Sequence, residues 1–292
     1  TVVIRSPSVR LDELETIGHR PSQRKPQSQQ AKELMEPYSP EILPAGIRSR
    51  FIENVNGLRM HVLEAGEPDN PCLPLLHGFP ELAYSWRKIM PALAEAGYYV
   101  VAPDQRGYGR TTGWENSYDA ALVPFQFLNL VRDVLALLHA LGRRETVGIV
   151  GHDFGATVAV YAALARPDMF PSMTLMSAPF TGAPAFPFNT ANGHAGTASE
   201  PDIHKALAAL ARPRKHYQWY YSTRSANEDM HGCPQGVHEF LRAYYHYKSA
   251  DWFGNKPFRL ANWTASELEK MPAYYIMAVS YTHLTLPTIL LV

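Results

Sequence analysis

At 292 residues the chain is long enough to bury the core of one large domain or two small ones, so size excludes no class of enzyme. Its 27 basic and 27 acidic side chains cancel, leaving no global field to draw nucleic acid or an anionic membrane, and neither is expected as a partner. Cys72 and Cys233 have neither a metal-ligand spacing nor the density of a disulfide scaffold, so idle thiols in a reducing, cytoplasmic setting are the expectation.

Residues 1–40 are polar and rich in Ser, Gln, Arg and Pro, with too few apolar positions to offset the entropy of ordering, and are expected to form a flexible extension. The chain opens on Thr1 rather than Met, so a preceding segment is expected and the lack of a signal peptide excludes little. From Phe51, FIENVNGLRMHVLEAG places two short apolar segments around Asn56 and Gly57, a pair that accepts positive φ, and predicts a β-hairpin. CLPLLHG at 72–78 and YYVVAPD at 98–104 read as buried strands, with WRKIMPALAEAG between them a helix closed by Gly97. Downstream, Leu128, Val131, Leu135 and Leu138 mark one face of a helix ending at Gly142. TVGIVG at 146–151 is a strand, GATVAVYAALA a helix stopped before Pro167, and SMTLMSAP at 172–179 a last strand. This alternation predicts an α/β fold: a mostly parallel sheet covered by helices on both faces, with reactive residues at the carboxyl ends of its strands.

That core is assigned to 41–182. After it, a Pro, Gly, Phe and Asn-rich connection leads into segments crowded with Tyr, Trp and His, read as an inserted helical lid over 183–277 that is incomplete here. From Met271 to Val292 there is no Asp, Glu, Lys or Arg, and no clear period. A membrane anchor needs about twenty mostly apolar residues, and Ser280, Tyr281, Thr282, His283, Thr285, Pro287 and Thr288 interrupt that run. Residues 278–292 look like the translation of sequencing-adapter DNA and are assigned to a non-native tail.

The strongest local signal is Gly151-His152-Asp153-Phe154-Gly155-Ala156 between a strand and a helix. Small residues two before and two and three after the centre are what a sharp strand-to-helix turn requires. Such a turn lifts Asp153 into the cleft at the sheet's edge, where a carboxylate can attack an electrophilic carbon without a base to deprotonate it. Two bland alternatives compete: Asp153 as an ordinary helix N-cap, and Asp-Phe-Gly as the magnesium signature of a protein kinase. The kinase context fails, because Val131 stands where the catalytic-loop His should be, Leu138 where its Asn should be, and no Gly-rich loop precedes them. A second signal, His77-Gly78-Phe79-Pro80 directly after a strand, is an ordinary turn in isolation. Joined to the elbow, it offers the amides of Phe79 and Phe154 as an oxyanion hole. A third, KHYQWYY at 215–221, is core packing or a source of a phenol donor; Tyr217 is the choice, with Tyr220 and Tyr221 open alternatives.

HGFPELAYSWRK at 77–88, APDQRGYGRT at 102–111, GHDFGA at 151–156, RPDMF at 166–170 and KHYQWYYS at 215–222 together resemble the epoxide hydrolases of the α/β-hydrolase superfamily, especially fungal and bacterial members, over residues 45–277. The resemblance implies Asp153 as nucleophile, Tyr217 as the first of two lid tyrosines, and Phe79 and Phe154 framing the oxyanion hole. It implies a small apolar epoxide as substrate, a vicinal diol as product, and no metal or organic cofactor. The family's second lid tyrosine, its acid and its catalytic histidine are expected beyond the point where the resemblance ends, together with the final core strands. His283 falls in the assigned tail, while His194, His204, His216, His231, His238 and His246 fall in the lid, and none is assigned as general base. The chain as given is therefore expected not to turn over. Two rival functions stand beside this one. A dehalogenase would use the same aspartate, but usually a halide-binding Trp where this chain has Phe154. A non-catalytic ligand binder would need only the pocket.

Overall fold

The computed structural model describes residues 35–178, 180, 202–256 and 258–278, which fall into two compact units, one on each side of the 181–201 connection. The assigned extension up to residue 34 and the assigned tail beyond Ala278 lie outside the described residues.

In the first unit, β1 (Ile47–Val55) and β2 (Leu58–Ala65) pair antiparallel through Asn56 and Gly57, both at positive φ (50° and 81°), as a two-residue hairpin turn requires. The sheet continues through β4 (Tyr99–Pro103), β3 (Cys72–Leu76), β5 (Ile149–His152) and β6 (Met173–Met176), in the order β1-β2-β4-β3-β5-β6. β4, β3, β5 and β6 run parallel to one another, joined by crossovers through α1 (Met90–Glu95), α2 (Phe127–Ala140) and α3 (Phe154–Ala165). The buried strands read as unbroken apolar runs because both faces are covered. Along β4, Tyr99 and Val101 enter a core with Leu130, Val134 and Leu138 of α2 and Val158 and Ala162 of α3. Val100 and Ala102 enter the opposite core with Trp86 and Met90.

Three local expectations shift. The helix over WRKIMPALAEAG divides into a 3-10 turn at Ala83–Lys88 and α1, because Pro91 lacks the N–H that would continue the first helix and is suited to start a second. Leu128 is 65% exposed, and the buried stripe of α2 is Leu130, Val131, Val134, Leu137 and Leu138, rotated from the expected face. β5 starts at Ile149 rather than Thr146, since the amides of Thr146 and Val147 go to Met169 and Cys72 carbonyls ahead of the ladder. Order also begins ahead of residue 41. Tyr38 donates its amide to Ser49 Oγ (2.8 Å) and lies under the Arg110 guanidinium, 3.6 Å from the ring centroid.

A buried ion pair ties the hairpin turn to α2. Arg106 holds Asp133 of α2 with two bonds of 2.7 Å, and Asn56 of the hairpin turn donates to the same carboxylate at 2.6 Å.

The second unit packs α4 (Ile203–Ala208), α5 (Tyr217–Tyr221), α6 (Ala226–His231), α7 (Gly236–Lys248) and α8 (Ala265–Leu268) around an antiparallel ribbon of β7 (Arg214–His216) and β8 (Ile276–Ala278). The ribbon departs from an all-helical lid. Lys215 and His216 are strand rather than helix, because their backbone pairs with Met277 and Ile276. Ala278, the first residue of the assigned tail, pairs with Arg214. Among the described residues no helix is long and apolar enough to cross a membrane.

Replacing Arg106 by Met should strand the Asp133 carboxylate in the core and destabilise the chain by about 3–5 kcal/mol, measured as a lowered urea midpoint. Adding Asp133→Leu should recover much of that loss, since an apolar pair of similar volume removes the unpaired charge.

Candidate active site

Asp153 sits at the carboxyl end of β5 and opens α3 with φ 51° and ψ −117°, a region that costs a non-glycine residue about 1–3 kcal/mol. The surrounding structure over-determines that conformation. The Asp153 amide donates to Met176 O (2.9 Å), and its carbonyl accepts from Ala156 (3.0 Å). Small residues are compulsory around it: a Cβ on Gly151 would lie 2.3 Å from Gly155 O, and one on Gly155 would lie 2.4 Å from Leu76 O. Although Asp153 stands at the N-cap position, its side chain makes no cap bond. Instead, its Oδ1 accepts the Phe79 amide at 3.0 Å. The carboxylate thus has one oxygen fixed by a backbone dipole from the loop after β3, rather than by its own helix.

That loop is itself held from below. His77 is fully buried, and its Nε2 accepts the Gln105 amide (3.1 Å), so the proton resides on Nδ1 and is donated to Gly78 O (2.9 Å). Burial pushes the imidazole pKa down, which keeps the ring neutral in this arrangement. The Gln105 side-chain amide adds a 2.6 Å bond to His77 O. Gly78 lies so close to the elbow that a Cβ there would meet Asp153 Cβ at 2.5 Å, and the Phe79–Pro80 peptide is cis. Phe154 follows Asp153 as the first residue of α3, where its amide is one of the N–H groups with no acceptor inside the helix. Its ring packs against Phe127 at 5.7 Å.

Several residues of this constellation carried no assigned role in the sequence. Glu81 accepts the Gly78 amide (3.1 Å) and pairs with His152 Nδ1 (2.8 Å), whose Nε2 meets Ser177 Oγ at 3.1 Å. Burial works to raise the Glu81 pKa, but the bonds from His152 and Gly78 outweigh it and hold the carboxyl below its ordinary value. Asp104 accepts from His61 Nδ1 (2.8 Å) and from the amides of Ala83 and Arg110 (both 2.9 Å). Tyr108 meets His77 edge-on at 4.9 Å, and burial together with the nearby Asp153 charge pushes its phenol pKa up. The only sequence signal for Glu81, Asp104, Gln105 and Tyr108 is that they fall inside 77–88 and 102–111, two of the stretches that carry the family resemblance, while His152 reads only as part of the elbow motif.

The structure therefore brings His77, Gly78, Phe79, Pro80, Gly151, His152, Asp153, Phe154 and Gly155 together in the first unit. Tyr217 belongs to the second. Its amide donates to Tyr275 O (2.8 Å), and its ring touches Tyr221 and Tyr275 at 5.9 and 5.2 Å. Tyr220 is committed elsewhere: its hydroxyl donates to Asp229 (2.8 Å), and Lys215 lies over its ring. Of the lid histidines, His204 packs on Trp219, His216 accepts the Gln218 amide, and His238 pairs with Glu239. His194 and His283 lie outside the described residues.

A family model described as alpha/beta hydrolase fold matches residues 71–289. The chain is 44% identical over 134 residues to "Epoxide hydrolase A" of Mycobacterium tuberculosis, covering 46% of this chain and 40% of the relative. It is 37% identical over 198 residues to "Epoxide hydrolase B" of the same species, covering 64% and 51%. Among solved structures, a tyrosine-to-phenylalanine mutant of epoxide hydrolase from Solanum tuberosum superposes with a TM-score of 0.55 at 35% identity, over 70% of this chain and 57% of that one. Epoxide hydrolase A from Mycobacterium thermoresistibile gives 0.53 at 30% identity, over 70% and 57%. The chain thus spans about half the length of the curated relatives it matches.

The tight packing around the elbow makes a sharp test. Gly155→Ala puts a methyl group against two carbonyl oxygens of the β3 end that cannot swing away, and should destabilise by about 1–3 kcal/mol in urea unfolding. An alanine at exposed Gly46, whose Cβ would meet nothing within 4 Å, tests the cost of positive φ alone.

Proposed function

Because the chain belongs to the α/β-hydrolase fold family, we propose that it performs the ester-forming half of epoxide hydrolysis, with Asp153 as the nucleophile. The observation that carries this reading is the Asp153 carboxylate on a strained elbow, uncapped by its own helix and held at Oδ1 by the Phe79 amide at 3.0 Å. With one oxygen fixed, Oδ2 is the free nucleophilic atom. It attacks a ring carbon of a small apolar epoxide from the side opposite the C–O bond, and that bond's electrons move onto the epoxide oxygen. Tyr217 donates its phenolic proton there, leaving a hydroxyalkyl ester on Asp153 and a phenolate that water reprotonates. The names of the curated relatives support an epoxide as the electrophile. A haloalkane would suit the same aspartate, but the Phe154 ring has no N–H to bind halide and is packed on Phe127.

Hydrolysis of the ester calls for a histidine free to activate water, with the oxyanion held by the Phe79 and Phe154 amides. The buried or half-buried histidines described in the first unit are engaged: His61 with Ser49 and Asp104, His77 with Gln105 and Gly78, His152 with Glu81 and Ser177. We assign none of them as the base.

Incubation with phenyl glycidyl ether should add one equivalent of epoxide per chain, seen as a single mass increment that maps to Asp153. Asp153→Ala should show no increment, a fall of at least about a thousandfold in labelling rate. Labelling that survives this substitution would refute the nucleophile, and many turnovers per chain would show that a base is present.

A further inference from the structure

Besides Asp153, the carboxyl edge of the sheet carries a second arrangement of reactive groups. In the ladder between β5 and β6, His152 stands opposite Met176, so the next residue, Ser177, leaves its strand beside the imidazole. Ser177 Oγ lies 3.1 Å from His152 Nε2, and His152 Nδ1 lies 2.8 Å from Glu81 Oε2. A hydroxyl, an imidazole and a carboxylate thus follow one another within hydrogen-bond reach, although the chain separates them by 25 and 71 residues. The protons have one consistent placement. The bonds from His152 and Gly78 hold the Glu81 carboxyl below its ordinary pKa, so it is ionised and can only accept. The Nδ1 proton of neutral His152 is therefore donated to Glu81, and Nε2 accepts the Ser177 O–H.

A surface serine that merely satisfies a ring nitrogen is the ordinary explanation of such a contact. Two features set this one apart. Ser177 is held at φ 62°, in the left-handed region that is uncommon for a residue other than glycine and that collects at functional sites. It is also exposed, while the side chains of His152 and Glu81 are only 28% and 19% exposed, so the hydroxyl meets solutes and the groups behind it are shielded.

We propose that Ser177 is a second nucleophile of this chain, with His152 as its base and Glu81 as the residue that positions the base, and that it takes aryl esters of short carboxylic acids. The inference does not depend on the role of Asp153. Ser177 Oγ bonds to the acyl carbon as its proton passes to His152 Nε2 and the carbonyl electrons move onto the carbonyl oxygen. Their return expels the aryl oxide and leaves an acyl-serine. The imidazolium then gives its proton to solvent, and His152 takes one from the water that attacks the acyl group, releasing the acid and restoring the serine. An exposed hydroxyl works against water rather than in a closed pocket, which favours leaving groups that depart without protonation; aryl oxides do so.

The whole chain should release p-nitrophenolate from p-nitrophenyl acetate, and phenylmethylsulfonyl fluoride should stop that release while adding one sulfonyl group that maps to Ser177. Ser177→Ala, a change at an exposed position, should lower release at least about a hundredfold and take up no sulfonyl group. His152→Gln should lower it by about a hundredfold or more, the contribution expected of a general base. The parent rate should rise with pH through one ionisation and level off, and Glu81→Gln should move the midpoint to lower pH, because the carboxylate that favours the imidazolium is gone. Release that survives Ser177→Ala, a sulfonyl group on another residue, or a parent rate equal to that of buffer alone overturns the proposal. If His152→Gln does not fold by near-ultraviolet dichroism, the parent's pH profile decides for or against the base: a rate that climbs without levelling off refutes it.

Discussion

The bond from the Phe79 amide to Asp153 Oδ1 spans 74 residues of sequence, and much of the first unit can be understood as the apparatus that makes it possible. A backbone N–H can reach a side chain on a neighbouring strand's end only if the two chain segments nearly touch. Gly78 against Asp153, Gly151 against Gly155, and Gly155 against the Leu76 and His77 carbonyls are those contacts. Each is closer than any Cβ tolerates, so the spacing of small residues follows from the bond rather than from turn propensity alone. The strain at Asp153 persists because the same contacts leave the residue no alternative conformation.

Three consecutive residues after β4 distribute the load. Asp104 gathers His61 of β2 and the amides of Ala83 and Arg110. Gln105 grips His77 at both its ring and its carbonyl, and Arg106 reaches Asp133 on α2 and Asn56 in the hairpin turn. Buried polar groups at this density destabilise unless every one is partnered, and satisfied networks of this kind specify one arrangement where an apolar core would tolerate several. The loop after β3 is therefore positioned from the hairpin, from β4 and from α2 together, which is why a loop can hold an amide in register with a carboxylate.

How much of this was legible in the sequence depends on the range of the interaction. Local geometry was readable: Asn56 and Gly57 announce the hairpin, and the glycines around Asp153 announce the elbow, because each is a demand on the residue's own backbone. The buried strands were readable for the same reason, since both of their faces are apolar. The long-range polar bonds were not. Nothing in the spacing of Glu81, His152 and Ser177 foretells one hydrogen-bonded chain, because a side chain's partner is chosen by the fold and not by its neighbours in sequence. The exposed Leu128 and the strand at Lys215 and His216 show the same limit from the other side. A helix face is rotated by tertiary packing that the period alone cannot fix, and a short strand exists only because a distant one pairs with it.

The character of the bond to Asp153 matters as much as its existence. A guanidinium in place of the Phe79 amide would hold the carboxylate more tightly, yet it would draw electron density from both oxygens and blunt an attacking atom. An amide dipole orients one oxygen and leaves the other free. The neighbouring groups respect this restraint: His77 is kept neutral by burial, His152 is turned toward Glu81, and Arg106 is spent on Asp133. Among the described residues, these three groups are paired or neutral, and the one hydrogen bond described for the carboxylate is to a backbone dipole. In the proposed reaction, the N–H that orients Oδ1 before attack would also receive negative charge on that atom when an ester carbonyl at this position is attacked. On that proposal one donor would serve both halves of the displacement, because Oδ1, the oxygen it holds, is not the atom that forms the bond to carbon.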